Sequence, residues 1–246
     1  MRRADAAAAL SYARARARRL DRCSLPCALR PAAGGPRARN TRGVGLYVED
    51  GNEMNNTLRE NVVICSTYEE CQVATAFSDA VFASGIYMLG VSNHLIDNRV
   101  AHWQNTIFTP GSFDPRGKGA AWGRVCTVHH AFGTFRGQVS HGGGRFGLYL
   151  DNQYPRRLAR DADGYLASGE TCAEFAPDGS DNGQLAVIDG SIEYHSLFVG
   201  HYTLGDVQFR NLSSFYNLHG MYWKVSKNFA QRDTPHVLDS LFASDG

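Results

Sequence analysis

The residues best suited to chemistry are acids and tyrosines set around one repeated pattern. Glu49, Asp50 and Glu53 form the densest acidic cluster, at a strand end and turn, and carboxylates there would suit calcium or attack on a glycosidic bond. The competing reading makes Asp50-Gly51 a turn with Glu53 as its capping acceptor. Tyr47, Tyr87, Tyr149 and Tyr222 share one context, glycine–apolar–tyrosine–apolar, in Gly45–Val48, Gly85–Met88, Gly147–Leu150 and Gly220–Trp223. In a strand the residues flanking each tyrosine take one face and the tyrosine the other. Stacked strands would then place the tyrosines in an outward stripe, a surface that suits sugar rings and that Glu49 and Asp151 would flank, or else a packing stripe under loops. Asp50 and Asp151 stand at different offsets from their tyrosines and are not equivalent.

Other chemistry is thin. His129, His130, His141, His195, His201 and His219 show no metal spacing, Cys126 near His129 and His130 has no orienting partner, and Gly142-Gly143-Gly144 lacks what a phosphate loop needs after it. Cys23 and Cys27 have no second paired element at zinc spacing. The six cysteines are compatible with disulfides, Cys65–Cys71 being the nearest pair, and sequons stand at Asn55-Asn56-Thr57 and Asn211-Leu212-Ser213. These favour an extracellular or cell-surface setting.

A second motif accompanies the tyrosine strands: Leu58–Asn61, Leu95–Asn98 and Phe135–Gln138. Its amide recurs at Asn61, Asn98 and Gln138, intervals of 37 and 40 residues, with a looser copy at Phe209-Arg210-Asn211 one position out of register. Repetition at this scale marks a solenoid. Short strands, few amphipathic helical stretches and recurrence of one strand type imply an all-β chain coiled as a single-stranded parallel β-helix, the amides bonding from coil to coil. Strands are expected over Thr57–Ile64, Val81–Leu89, His94–Trp103, Gly133–Ser140 and Arg145–Asp151, with loop insertions near 105–130 and 153–183. Leu46, Val48, Ile86, Met88, Leu148, Leu150 and Met221 should face one core.

Charge divides the chain. Residues 1–39 hold ten of the 25 basic residues, all arginine, against Asp5 and Asp21, leaving the remainder about −7. The leader resembles an organelle transit peptide in composition, an erroneous start or a piece of a longer protein being equally compatible. The folded part, residues 40–246, argues against nucleic acid, and no apolar run reaches the ~18–20 residues that cross a bilayer.

Gly45–Glu53 with Asn56-Thr57-Leu58 and Asn61, then Ala83–Tyr87 leading to Leu95–Asn98, then Phe132–Leu148, resemble the fibrocystin-L and cell-surface hyaluronidase group of G8-domain proteins. The resemblance covers roughly 42–152, more weakly 185–225. It implies a right-handed parallel β-helix that is part of a larger protein. It also implies a glycan-binding or structural module or, as the alternative, a hyaluronidase-like polysaccharide hydrolase. Gly90–His94 replaces that group's asparagine-rich turn.

Overall fold

The structure, a computed structural model, describes residues 37–39, 43–66, 83–110, 125–153, 162, 186–205, 207–223 and 237–244. The chain separates into two units, Met1–Gly34, which lies outside the described residues, and Gly35–Gly246. Everything below concerns the second, which begins before residue 40 because Arg37–Arg39 already forms a strand.

Three parallel sheets make it. Sheet A runs through β1 (Arg37–Arg39), β4 (Val62–Ile64), β7 (Arg99–Ala101), β10 (Val139–His141), β13 (Ile192–Tyr194), β16 (Ser213–Phe215) and β19 (Leu241–Ala243). Sheet B runs through β2 (Val44–Val48), β5 (Ser84–Met88), β8 (Asn105–Thr109), β11 (Phe146–Gln153), β14 (Val199–Gly205) and β17 (His219–Trp223). Sheet C runs through β3 (Thr57–Arg59), β6 (His94–Ile96), β9 (Phe135–Arg136), β12 (Val187–Asp189), β15 (Gln208–Arg210) and β18 (Val237–Leu238). The chain visits C, A and B in turn and then starts the next coil, the path of a parallel β-helix. Equivalent strands stack in register, as in Val62↔Arg99↔Val139↔Ile192.

The expected long strands Thr57–Ile64, His94–Trp103 and Gly133–Ser140 are each two strands bent at a corner. One residue turns each corner at positive φ: Glu60 (55°), Asp97 (55°), Gly137 (65°), Gly190 (69°), Asn211 (54°) and Asp239 (50°). Side chains other than glycine's resist that conformation. Here the N–H of every corner but Asp239 is fixed to the next coil, as Glu60 to the Ile96 carbonyl (2.9 Å) and Asp97 to that of Arg136 (3.0 Å). Asn211 is therefore a corner residue and not part of the amide column. The column's slot passes from Gln138 to Ser191 and Leu212, so the apparent slip in register was an assignment to the wrong slot.

The amide ladder itself forms. Asn61 Nδ2 donates to Asn98 Oδ1 (2.8 Å), and Asn98 Nδ2 donates to Gln138 Oε1 (3.1 Å) and to the Leu58 carbonyl (2.9 Å). Ser196 and Asn217 extend polar bonding on the later coils at another corner, where the Ser196 N–H donates to Asn217 Oδ1 (2.7 Å).

Glycine near the head of the sheet B strands β2, β5 and β11 is needed for space. A Cβ on Gly45 would strike Val63, on Gly85 would strike Val100, and on Gly147 would strike Glu193. Among the motif's apolar residues, Ile86, Met88, Leu148 and Leu150 are fully buried, while Leu46, Val48 and Met221 are half-buried against the same cluster, which includes Leu95, Ile107, Phe135 and Ile188. The expected loop at 105–130 is corrected at its start: Asn105–Thr109 is a central strand of sheet B, and Thr127–His129 forms a buried 3₁₀ turn. Most of the expected insertion at 153–183, and Cys71, lie outside the described residues.

Candidate functional site

Register puts Tyr47, Tyr87, Phe108, Tyr149, Tyr202 and Tyr222 into one column on the outer side of sheet B. Adjacent ring centroids lie 4.8, 5.8, 4.6, 4.7 and 5.2 Å apart along it, near the ~4.8 Å spacing of neighbouring strands. Two members escape the sequence pattern. Phe108 follows Thr106 rather than glycine, and Tyr202 follows His201 rather than an apolar residue, although Gly200 and Tyr202 keep the motif's spacing.

The column is not uniform. Tyr47 is 40% exposed, Tyr87 only 1% and Phe108 6%, whereas Tyr149 and Tyr202 are half-buried and Tyr222 is 42% exposed. Tyr87 and Phe108 form a small core of their own with Leu89, Val44 and Tyr149. An accessible platform of Tyr47, Tyr87 and Tyr149 is therefore ruled out at its middle member. The 3₁₀ turn lies close by: a Cβ on Gly51 would meet Thr127 and Leu89, and one on Gly90 would meet His130.

The open half has its own surroundings. Phe146 packs against Tyr149 (4.5 Å) and Tyr202 (5.0 Å), and the Arg145 guanidinium sits 4.7 Å over the Phe146 ring. Tyr149 donates its hydroxyl to Asp151 Oδ2 at 3.3 Å. Burial, and then the Asp151 charge, raises the Tyr149 hydroxyl above its ordinary 10. Tyr202 is raised for the same two reasons in the same order, with Arg145 opposing in both. These phenols are donors rather than nucleophiles. Tyr202 and Tyr222 stack with planes 2° apart, so their ring faces are turned on one another. Among the described residues no ring stacks on the second face of Tyr222, which lies on the end strand of sheet B.

No family model and no curated protein matches the chain.

The acids divide. Glu53 accepts from the backbone N–H groups of Asp50 (3.0 Å) and Gly51 (2.8 Å), one to each carboxylate oxygen, so it caps its turn. Glu49 is exposed, and two residues past its tyrosine it holds the slot that Asp151 holds past Tyr149. Asp50 and Glu53 border β2 while Asp151 lies on β11, three strands away in sheet B. That is ~14 Å at the strand spacing, against the ~5–9.5 Å that separates a glycosidase pair. Among the described residues no group of three or more His, Cys, Asp or Glu is arranged to hold a metal ion, Glu49, Asp50 and Glu53 included.

Inside the later coils lies a polar network that sequence reading missed. Glu193 is fully buried, with Ser140 Oγ donating to Oε1 (2.9 Å). Asn217 Nδ2 donates to the Glu193 carbonyl (3.1 Å) and to Ser214 Oγ (2.8 Å). Burial raises the Glu193 carboxyl well above 4.5, Ser140 opposing, and pushes the buried His201 imidazole down to about 3. A pocket of about 220 Å³ beside β17 is lined by Ser214, Asn217, Leu218, Gly220 and Phe242, among others, and not by the tyrosines or Asp151.

Proposed function

We propose that this chain is a glycan-binding β-helix module of the fibrocystin-like, cell-surface or secreted kind, acting without catalysis. The observation that carries it is the open half of the ring column. Tyr149, Tyr202 and Tyr222 stand one coil apart on the outer side of sheet B, the first two half-buried and the third exposed, beside Asp151 and Arg145. Phenol and carboxylate edges bond sugar hydroxyls, the free face of Tyr222 stacks one ring, and Arg145 supplies a fixed positive charge. Each sugar is held weakly, so a polymer spanning several coils outbinds an oligomer. Tyr47 and Glu49 repeat a fragment of this arrangement at the other end of the column.

The hydrolase alternative, hyaluronidase-like in chemistry, needs two carboxylates across one bond, and the acids Glu49 and Asp151 of this face stand three strands, ~14 Å, apart. A right-handed coil sense is part of the proposal, because parallel crossovers within a sheet take that hand in about 98% of cases. An extracytoplasmic setting draws support from Cys65 and Cys126, both disulfide-bonded. No helix among the described residues is long and apolar enough to cross a membrane.

The test is retention of the purified full chain on immobilised neutral and acidic polysaccharides, with and without calcium, while the size of the soluble polymer is followed. Retention that rises with polymer length, falls in Tyr202→Ala and Tyr222→Ala and leaves polymer size unchanged supports the reading. Chain shortening selects the hydrolase, and absence of retention by every polymer overturns sugar binding.

A further inference from the structure

Two sequons stand in the chain, and the fold treats them differently. In the second, Asn211 is a corner residue at φ 54°, and its Nδ2 already donates to Asp189 Oδ1 at 2.8 Å. Leu212 beside it is 1% exposed in the core, and Ser213 belongs to β16, paired on both sides by β13 and β19. Asn211 thus sits mid-stack, with neighbouring coils directly above and below.

In the first, Asn55 is exposed at φ 60°, outside any strand, and makes no described side-chain bond. The intervening Asn56 is held: its N–H and Nδ2 both reach Asn93 Oδ1 at 3.0 Å, and Asn93 Nδ2 donates to the Glu53 carbonyl at 2.8 Å. That clamp fixes the turn while leaving the Asn55 and Thr57 side chains in solvent. Thr57 opens β3, which among the described residues pairs with β6 alone and is the end strand of sheet C.

We propose that Asn55 is an N-glycosylation site whose glycan shields the outer edge of β3, and that Asn211 is not modified. Transfer joins Asn55 Nδ2 to the anomeric carbon of a polyprenyl-pyrophosphate-linked oligosaccharide. The carbon–oxygen bond to pyrophosphate breaks, the polyprenyl pyrophosphate leaves with the electron pair, and a base of the host transferase takes one Nδ2 proton. An edge strand presents unpaired N–H and C=O groups that template pairing with another chain, and a bulky hydrophilic chain beside Thr57 blocks that approach.

The proposal takes up the extracytoplasmic placement above, and its test separates the two. The full chain is secreted behind a heterologous signal sequence from a glycosylating host, then weighed intact before and after enzymatic removal of N-glycans. One glycan is expected, mapped to Asn55, lost in Asn55→Gln and in Thr57→Val and kept in Asn211→Gln. Wild-type chain that carries no glycan, or carries it on Asn211, overturns the site whatever the natural location of the chain or the affinity of the tyrosine face. Sedimentation then tests the role: Asn55→Gln chain should self-associate at concentrations where the glycosylated chain stays monodisperse, and equal behaviour overturns the shielding.

Discussion

The early and late coils share one backbone and fill it in opposite ways. Inward positions on sheet A are Val63 and Val100 in the early coils and Ser140, Glu193 and Ser214 in the later ones, all buried. Outside sheet B the rings Tyr87 and Phe108 are sealed, the later rings Tyr149 and Tyr202 are half-buried, and the end rings Tyr47 and Tyr222 are exposed. The strands pair in the same parallel register throughout, so backbone bonding carries the coil whatever occupies the slots. Where the interior of sheet A is apolar, Tyr87 and Phe108 join a second core; where it is polar, the outer rings are more accessible. On the proposed reading, stability and recognition are divided along the axis.

The largest expected effect breaks that division at its apolar end. Ile86→Ala removes a fully buried side chain between Leu46 and Ile107 and should cost about 2–5 kcal/mol, read from the denaturant midpoint. In the later coils Thr203→Val should be neutral or stabilising, because the buried Thr203 hydroxyl meets no hydrogen-bond partner. Equal losses from both variants would erase the contrast. Comparable in size is Asn98→Leu, which strips partners from Asn61, Gln138 and the Leu58 carbonyl, at roughly 1–3 kcal/mol for a buried group left unpaired, less what the buried leucine regains.

The polar interior adds a pH signature. Glu193 is raised in the folded chain, so its contribution is complete below its ordinary 4.5 and is lost as pH climbs through its folded value. His201 is lowered, so its contribution is complete above 6.5 and is lost as pH falls toward about 3. From 4.5 upward the two slopes oppose one another until Glu193 reaches its folded value or pH passes 6.5. Below 4.5 the His201 slope stands alone, at about 1.4 kcal/mol per pH unit. Glu193→Gln should remove the alkaline fall and His201→Leu the acid one, as measured by chemical unfolding across pH. An alkaline fall that survives in Glu193→Gln would assign it elsewhere.

The smallest effect separates the two halves of the column by function. Tyr222→Ala should weaken polymer retention several-fold and leave the unfolding midpoint nearly unchanged, whereas Tyr87→Ala should lower the midpoint and leave retention intact. The reverse pattern would exchange the roles of the two halves.

Repetition was readable because parallel stacking makes neighbouring coils solve the same local problem. Gly45, Gly85, Gly147 and Gly220 recur since a Cβ there meets the adjacent coil, and Asn61, Asn98 and Gln138 recur since one buried amide satisfies the next. Phe108 and Tyr202 went unread because their slots admit Thr106 and His201, which break a pattern defined by residue type and keep one defined by place. Glu53 as a turn cap was readable as one of two options, and two backbone hydrogen bonds chose between them.

By itself the sequence determined the coil: its all-β character, its repeat, the inward apolar set and the one-sided tyrosines, since each follows from alternation and contact between like residues in adjacent coils. Which tyrosines meet solvent was decided only in three dimensions. Tyr87 and Tyr149 occupy identical slots on either side of Phe108, and what differs is the packing of Leu89 and Val44 with the one and of Arg145, Phe146 and Asp151 around the other. The burial of Glu193 was settled the same way, because a strand of three residues presents its middle side chain to whichever side the two flanking corners turn it, and nothing in Ile192-Glu193-Tyr194 marks that side as inward.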